Sequence, residues 1–141
     1  MASIPSFSPN LGDSRHSSLC YPKRTVTTNT TAAAVTFGVA DLLGGLILRN
    51  PSGAGRADLF PTAAAIVAAI NGVWPSLSFE FVVRNTATAA ETITATTNVG
   101  LTLSGTMTIA QNNSKLFYAI VTNSTPGSEA VTIYSIGSFV H

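Results

Sequence analysis

Charge is what this chain has least of. Only 9% of its 141 residues are charged while 45% are hydrophobic, and the net charge is +1. A soluble domain carries roughly 25% charged residues. The few Lys and Arg are scattered, with only Lys23 and Arg24 adjacent, so the basic stripe of a nucleic-acid binder is missing. Cysteine is nearly absent: Cys20 stands alone, which excludes an internal disulfide. Long apolar runs are absent too. The longest, Ala63 to Ile70, falls well short of the roughly 20 residues that span a bilayer, so no membrane partner is expected. Met1 is followed by a polar stretch with Pro5, Pro9, Asp13 and Arg15, and neither the basic start nor the apolar core of a secretion signal is found there.

What is present is a chain of domain size, able to bury one core without staples. Its alternating runs predict a β-protein whose neutral Thr- and Ala-rich surface suits burial against copies or partners. Residues 1–29 read as an extended N-terminal arm. Ser, Pro, Asn and Gly recur, and Ile4, Phe7, Leu11, Leu19 and Tyr21 follow neither a helical nor a strand period. Such a segment cannot build its own core and is expected to be tied to a partner. Phe7, Leu11 and Tyr21 are the candidate apolar anchors, with Arg15, Lys23 and Arg24 as candidate partners for acidic groups.

Residues 30–141 read as the domain proper. Thr30 to Phe37, rich in β-branched residues, predicts a strand. Leu46 to Arg49 predicts a second, and the turn residues Asn50 to Gly55 let Arg56 to Phe60 return antiparallel. One short helix is expected at about 62–70, opened by Pro61-Thr62 and closed by Asn71-Gly72. After it come strands at Ser78 to Arg84, Glu91 to Thr97, Leu101 to Ile109, Lys115 to Thr122 and Ala130 to Val140. Lys115 to Thr122 is apolar on both faces, as a central strand is. The pattern predicts an all-β fold: an antiparallel β-sandwich or jelly-roll-like domain with one short helix.

Catalytic patterns are thin. The two histidines are His16, in the arm, and His141, the last residue. No Gly-x-Ser-x-Gly elbow accompanies the many hydroxyls. The acids are isolated in sequence; Glu80 and Arg84 share a strand face with Glu91 just beyond, an exposed grouping worth about 0–1 kcal/mol as an ion pair. Zinc needs clustered Cys and His, and the acids form no calcium ladder. Gly53-Ala54-Gly55 lacks the third glycine and following helix of a dinucleotide loop and reads as a tight turn. No enzymatic activity, metal or cofactor is expected.

A family likeness begins at Leu46. Leu46-Ile47-Leu48-Arg49-Asn50-Pro51, Gly53-Ala54-Gly55-Arg56-Ala57-Asp58, Pro61-Thr62-Ala63-Ala64 and Ile66-Val67-Ala68-Ala69-Ile70 resemble segments of small structural proteins of tailed bacteriophages. The likeness runs on through Phe79-Glu80-Phe81-Val82-Val83-Arg84-Asn85-Thr86, Ala89-Ala90-Glu91-Thr92-Ile93-Thr94 and Leu103-Ser104-Gly105-Thr106-Met107-Thr108-Ile109. From Leu46 to Asn123 it covers somewhat more than half the chain, with a looser match at the C-terminus, and it leaves out the arm. The family it resembles is that of head-decoration, or cement, proteins. The resemblance implies a compact β-sandwich or jelly roll, a homotrimer on the capsid exterior, the major capsid protein as partner, and a virion protein made in the host cytoplasm. The alternative is a receptor- or glycan-binding module of a phage tail fibre, for which Trp74 and Tyr134 are the modest candidate platforms. A glycan hydrolase on paired carboxylates is a distant third.

Overall fold

A computed structural model describes residues 24–141. The expected arm contacts Phe7, Leu11, Arg15, Tyr21 and Lys23 lie outside the described residues; Arg24 is the first residue within them. The order of elements is β1 (Thr25–Asn29), α1 (Val39–Gly44), β2 (Gly45–Arg49), β3 (Arg56–Leu59), α2 (Ala63–Ala69), β4 (Ser78–Asn85), β5 (Ile93–Thr96), β6 (Leu101–Ser104), β7 (Thr108–Ile109), β8 (Asn113–Asn123) and β9 (Ala130–Val140).

The fold is predominantly β, in two sheets. A six-stranded sheet has the order β1-β2-β4-β8-β9-β6, and a three-stranded sheet the order β3-β5-β7. The expectation of antiparallel ladders is corrected to a mixed pattern. β1, β2 and β4 run parallel to one another, and β6 runs parallel to β9; only β8 opposes its neighbours in the large sheet. The cause lies in the connections. β2 leads through residues 50–55 into β3 of the other sheet, so the expected hairpin between Leu46–Arg49 and Arg56–Phe60 does not form; β3 instead pairs parallel with β5.

Three further expectations are revised. The first strand is Thr25–Asn29, inside the range assigned to the arm, whereas Thr30 to Phe37 is irregular apart from a bridge from Thr36 to Leu59. Leu101 to Ile109 is two strands in different sheets, and the chain turns between them at Gly105, which adopts φ 93°. A side chain at that position would meet both the strain of positive φ and the β9 backbone.

The expected helix near 62–70 is present as α2. Thr62 Oγ1 accepts the Ala65 N–H at 3.2 Å, a side-chain N-cap, and Ala63, Ile66 and Val67 are buried beneath it. A second, unexpected helix is α1. Asp41 accepts the Gly38 N–H and the Thr27 hydroxyl, and Gly45 ends the turn at φ 96°.

Both sheets and α2 feed one core. Phe60 sits at its centre, edge-on to Phe81 and Phe117 at 5.6 and 5.5 Å and tilted against Phe37 at 6.0 Å. The inner face of β8 is Lys115, Phe117, Ala119 and Val121, all buried, while Leu116, Tyr118 and Ile120 on its outer face are half-buried. β8 is an internal strand, between β4 and β9, but only its inner face is fully covered; its apolar outer face stays half-exposed.

Candidate functional site

The polar groups inside the core define what is fixed. Arg49 at the end of β2 and Asp58 on β3 are fully buried and pair with Nε–Oδ2 at 2.8 Å. The guanidinium also donates to the carbonyls of Thr31 (2.8 Å), Ala33 (2.7 Å) and Asn50 (2.7 Å), and Asp58 Oδ1 accepts the Val35 N–H at 2.9 Å. A strand from each sheet and the irregular 30–36 segment are therefore held by one charged cluster. Every donor on such a buried cation needs an acceptor, which explains why the segment bends its carbonyls inward instead of pairing as a strand. Asn85, also buried, donates to the carbonyls of Glu91 and Ile109 and accepts the Ala87 N–H, tying the end of β4 to the small sheet. These are supports of the fold.

Glu91 is not in the expected surface group with Glu80 and Arg84. Its Oε1 accepts the Gly53 N–H at 2.8 Å, pinning the crossing between the sheets, where Ser52 and Gly53 adopt positive φ. Among the described residues the Arg49–Asp58 contact is the sole ion pair. Lys115 points inward and donates to the Thr106 carbonyl; burial pushes its ammonium below the ordinary 10.5.

His141 is held more firmly than its terminal position suggested. Its Nε2 lies 2.5 Å from Ser114 Oγ, and its N–H donates to the Asn112 carbonyl at 2.9 Å. Among the described residues no hydrogen bond orients the second ring nitrogen, and no group of three or more His, Cys, Asp or Glu is gathered as metal ligands. No helix of the described residues is long and apolar enough to cross a membrane.

The surface offers something different. The ladder register aligns Val26, Leu46, Val82, Leu116 and Gly137 across five strands of the large sheet. In the three middle strands the neighbours Ile47, Phe81, Val83, Lys115 and Phe117 are buried toward the core, so the row lies on the outer face. Beside it is a groove of about 360 Å³, lined by Val26, Leu46, Val82 and Leu116 with Arg24 and Glu80 at its polar end. Arg24 Nη1 donates to the Glu80 carbonyl at 3.2 Å, which lays its side chain across β2 toward β4. Of the six residues expected to make contacts, Arg24 is thus the one placed, at the rim of this groove. The row was missed from sequence because it needs register across strands as distant as β1 and β9, at opposite ends of the described chain.

Trp74, exposed in the connection between α2 and β4, and Tyr134, on β9 opposite Tyr118, belong to different parts of the surface. Comparison with protein-family models, characterised proteins and solved structures gives no match.

Proposed function

We propose that the chain is a non-enzymatic virion structural protein that decorates the capsid exterior and stabilises it by bridging capsomers. The observation that carries this reading is the outer face of the large sheet, where an uncharged row from Val26 to Gly137 stays accessible beside a groove of about 360 Å³. In a chain with 9% charged residues, such a face is suited to permanent burial against protein. The resemblance of Leu46 to Asn123 to head-decoration proteins supports the same reading. Two sheets sharing one core fit a sandwich-like domain, with parallel ladders as a departure from a plain jelly roll.

The physical task is mass action. A protein that binds assembled shell and not free capsomers stabilises the shell in proportion to its binding free energy, as any ligand of a native state does. Partners are the major capsid protein and two further copies, since a trimer matches threefold and quasi-threefold positions on a shell. The protein is made in the host cytoplasm and ends in the virion, with no cofactor.

Binding of purified protein to purified capsids, followed by co-sedimentation and by survival of the shells on heating, tests the proposal. Saturable binding with raised shell stability is expected; no binding to intact shells overturns it. The second reading, a glycan-binding module of a tail fibre, rests on exposed Trp74. It predicts glycan-array binding that Trp74→Ala abolishes, with no effect on shells.

A further inference from the structure

Two features coincide at the end of β9. Beyond Tyr134, where its ladder with β6 stops, β9 is paired among the described residues on one side only, with β8, as far as Val140. That same stretch carries Ile136, Phe139 and Val140 at 59, 55 and 81% exposure, which with Tyr134 makes β9 the site of most of the large apolar side chains exposed among the described residues. An open backbone edge beside exposed apolar side chains is a template for another strand, and soluble proteins block such edges with charge, proline or short length. Ile136 to Val140, Ile-Gly-Ser-Phe-Val, has neither charge nor proline; its one irregularity is the bulge at Ile136, where the register shifts, and Gly137 to Val140 beyond it run in regular register with β8. The other end of the same sheet is β1, an edge strand among the described residues, reading Thr-Val-Thr-Thr-Asn, equally uncharged, with Val26 at 60% exposure.

The geometry points to head-to-tail association, in which β1 of one copy adds beside Ile136–Val140 of the next. Both stretches are five residues long and run in the same direction within the sheet. The incoming strand would sit in line with β6, in the space that β6 leaves where Gly105 turns it away. The outer row would then continue from Gly137 to Val26 of the neighbouring copy. Because the joined surfaces are different, the contact is heterologous and repeats around a ring until it closes. The junction rests on the sheet edges; only the closure at three copies rests on the decoration reading.

Two variants test it in solution. Val26→Lys blocks the β1 edge, and the double variant Ile136→Lys/Val140→Lys blocks the β9 edge; all three side chains are more than half exposed, so each variant is expected to keep the parent circular dichroism. Sedimentation velocity at micromolar concentration should show the parent at three times the 14.5 kDa chain mass and each variant alone as a monomer. An equimolar mixture of the two variants should form a two-chain species, since one intact junction remains. A monomeric parent, a Val26→Lys protein of parent size, or a mixture that stays monomeric each overturns the head-to-tail junction. The last two outcomes with an oligomeric parent would place self-association elsewhere, including β9 against β9. A ring that fails to bind shells would remove the decoration reading and leave the junction standing.

Discussion

Replacing Arg49 by methionine tests how the two sheets are held together. Methionine keeps much of the apolar stem and removes the guanidinium. That leaves the Asp58 carboxylate buried with only the Val35 N–H, and takes the donor from the carbonyls of Thr31, Ala33 and Asn50. Breaking a buried ion pair by removing one partner costs about 3–5 kcal/mol. Domains are stable by about 5–15 kcal/mol in all, so the variant should lose about a fifth of its stability or more. Urea unfolding followed by far-ultraviolet circular dichroism reads this as a fall in midpoint of about 2 M, for a slope of about 1–3 kcal/mol per M. The double variant R49M/D58L should recover part of the loss, because no unpaired charge remains, but not all, since the carbonyls of the 30–36 segment and the Val35 N–H still lack partners. A loss under about 1 kcal/mol in R49M, with unchanged slope, would refute the view that this pair holds the sheets and the segment together.

Phe60→Ala empties the centre of the aromatic cluster and should cost about 3–5 kcal/mol by the same unfolding assay. Thr62→Ala removes the side-chain cap of α2 and should cost about 1 kcal/mol. Lys115 has a folded-state pKa below its unfolded 10.5, so the unfolded chain binds more protons between the two values, and its contribution to stability rises with pH across that window and levels above 10.5. Stability measured against pH for the parent and Lys115→Met should therefore differ by a rise confined to that alkaline window; parallel curves would contradict a buried ammonium. Deleting residues 1–23, and not the 25–29 strand, should leave a cooperatively folded domain with weaker binding to shells, read by thermal melting and co-sedimentation.

The elements most legible in the sequence were those set by local pattern. Thr62 before an alanine-rich run marked α2, alternation marked β4 and β9, and a strand apolar on both faces marked β8 as internal. What depended on partners was not legible. Thr30 to Phe37 has strand propensity, yet the Thr31 and Ala33 carbonyls are taken by Arg49, a residue of the next strand whose burial the sequence does not announce. α1 is six residues long, and its signal, Gly38 with Asp41 before Gly44-Gly45, is too short for a periodicity to stand out. The turn at Gly53 reads as a hairpin locally, but Glu91 pins it into a crossing between sheets. The outer row was hidden for the same reason: one residue from each of five strands becomes a surface only when register is known.

Immunogold electron microscopy offers the most direct test of the central claim. Antibody raised against residues 24–141 would be applied to intact particles of the phage to which the proposal assigns this chain. The account predicts gold spread over the head shell, and shells stripped of the protein that take up label again when it is added back. Gold confined to tails or fibres, or particles with no label, would contradict it.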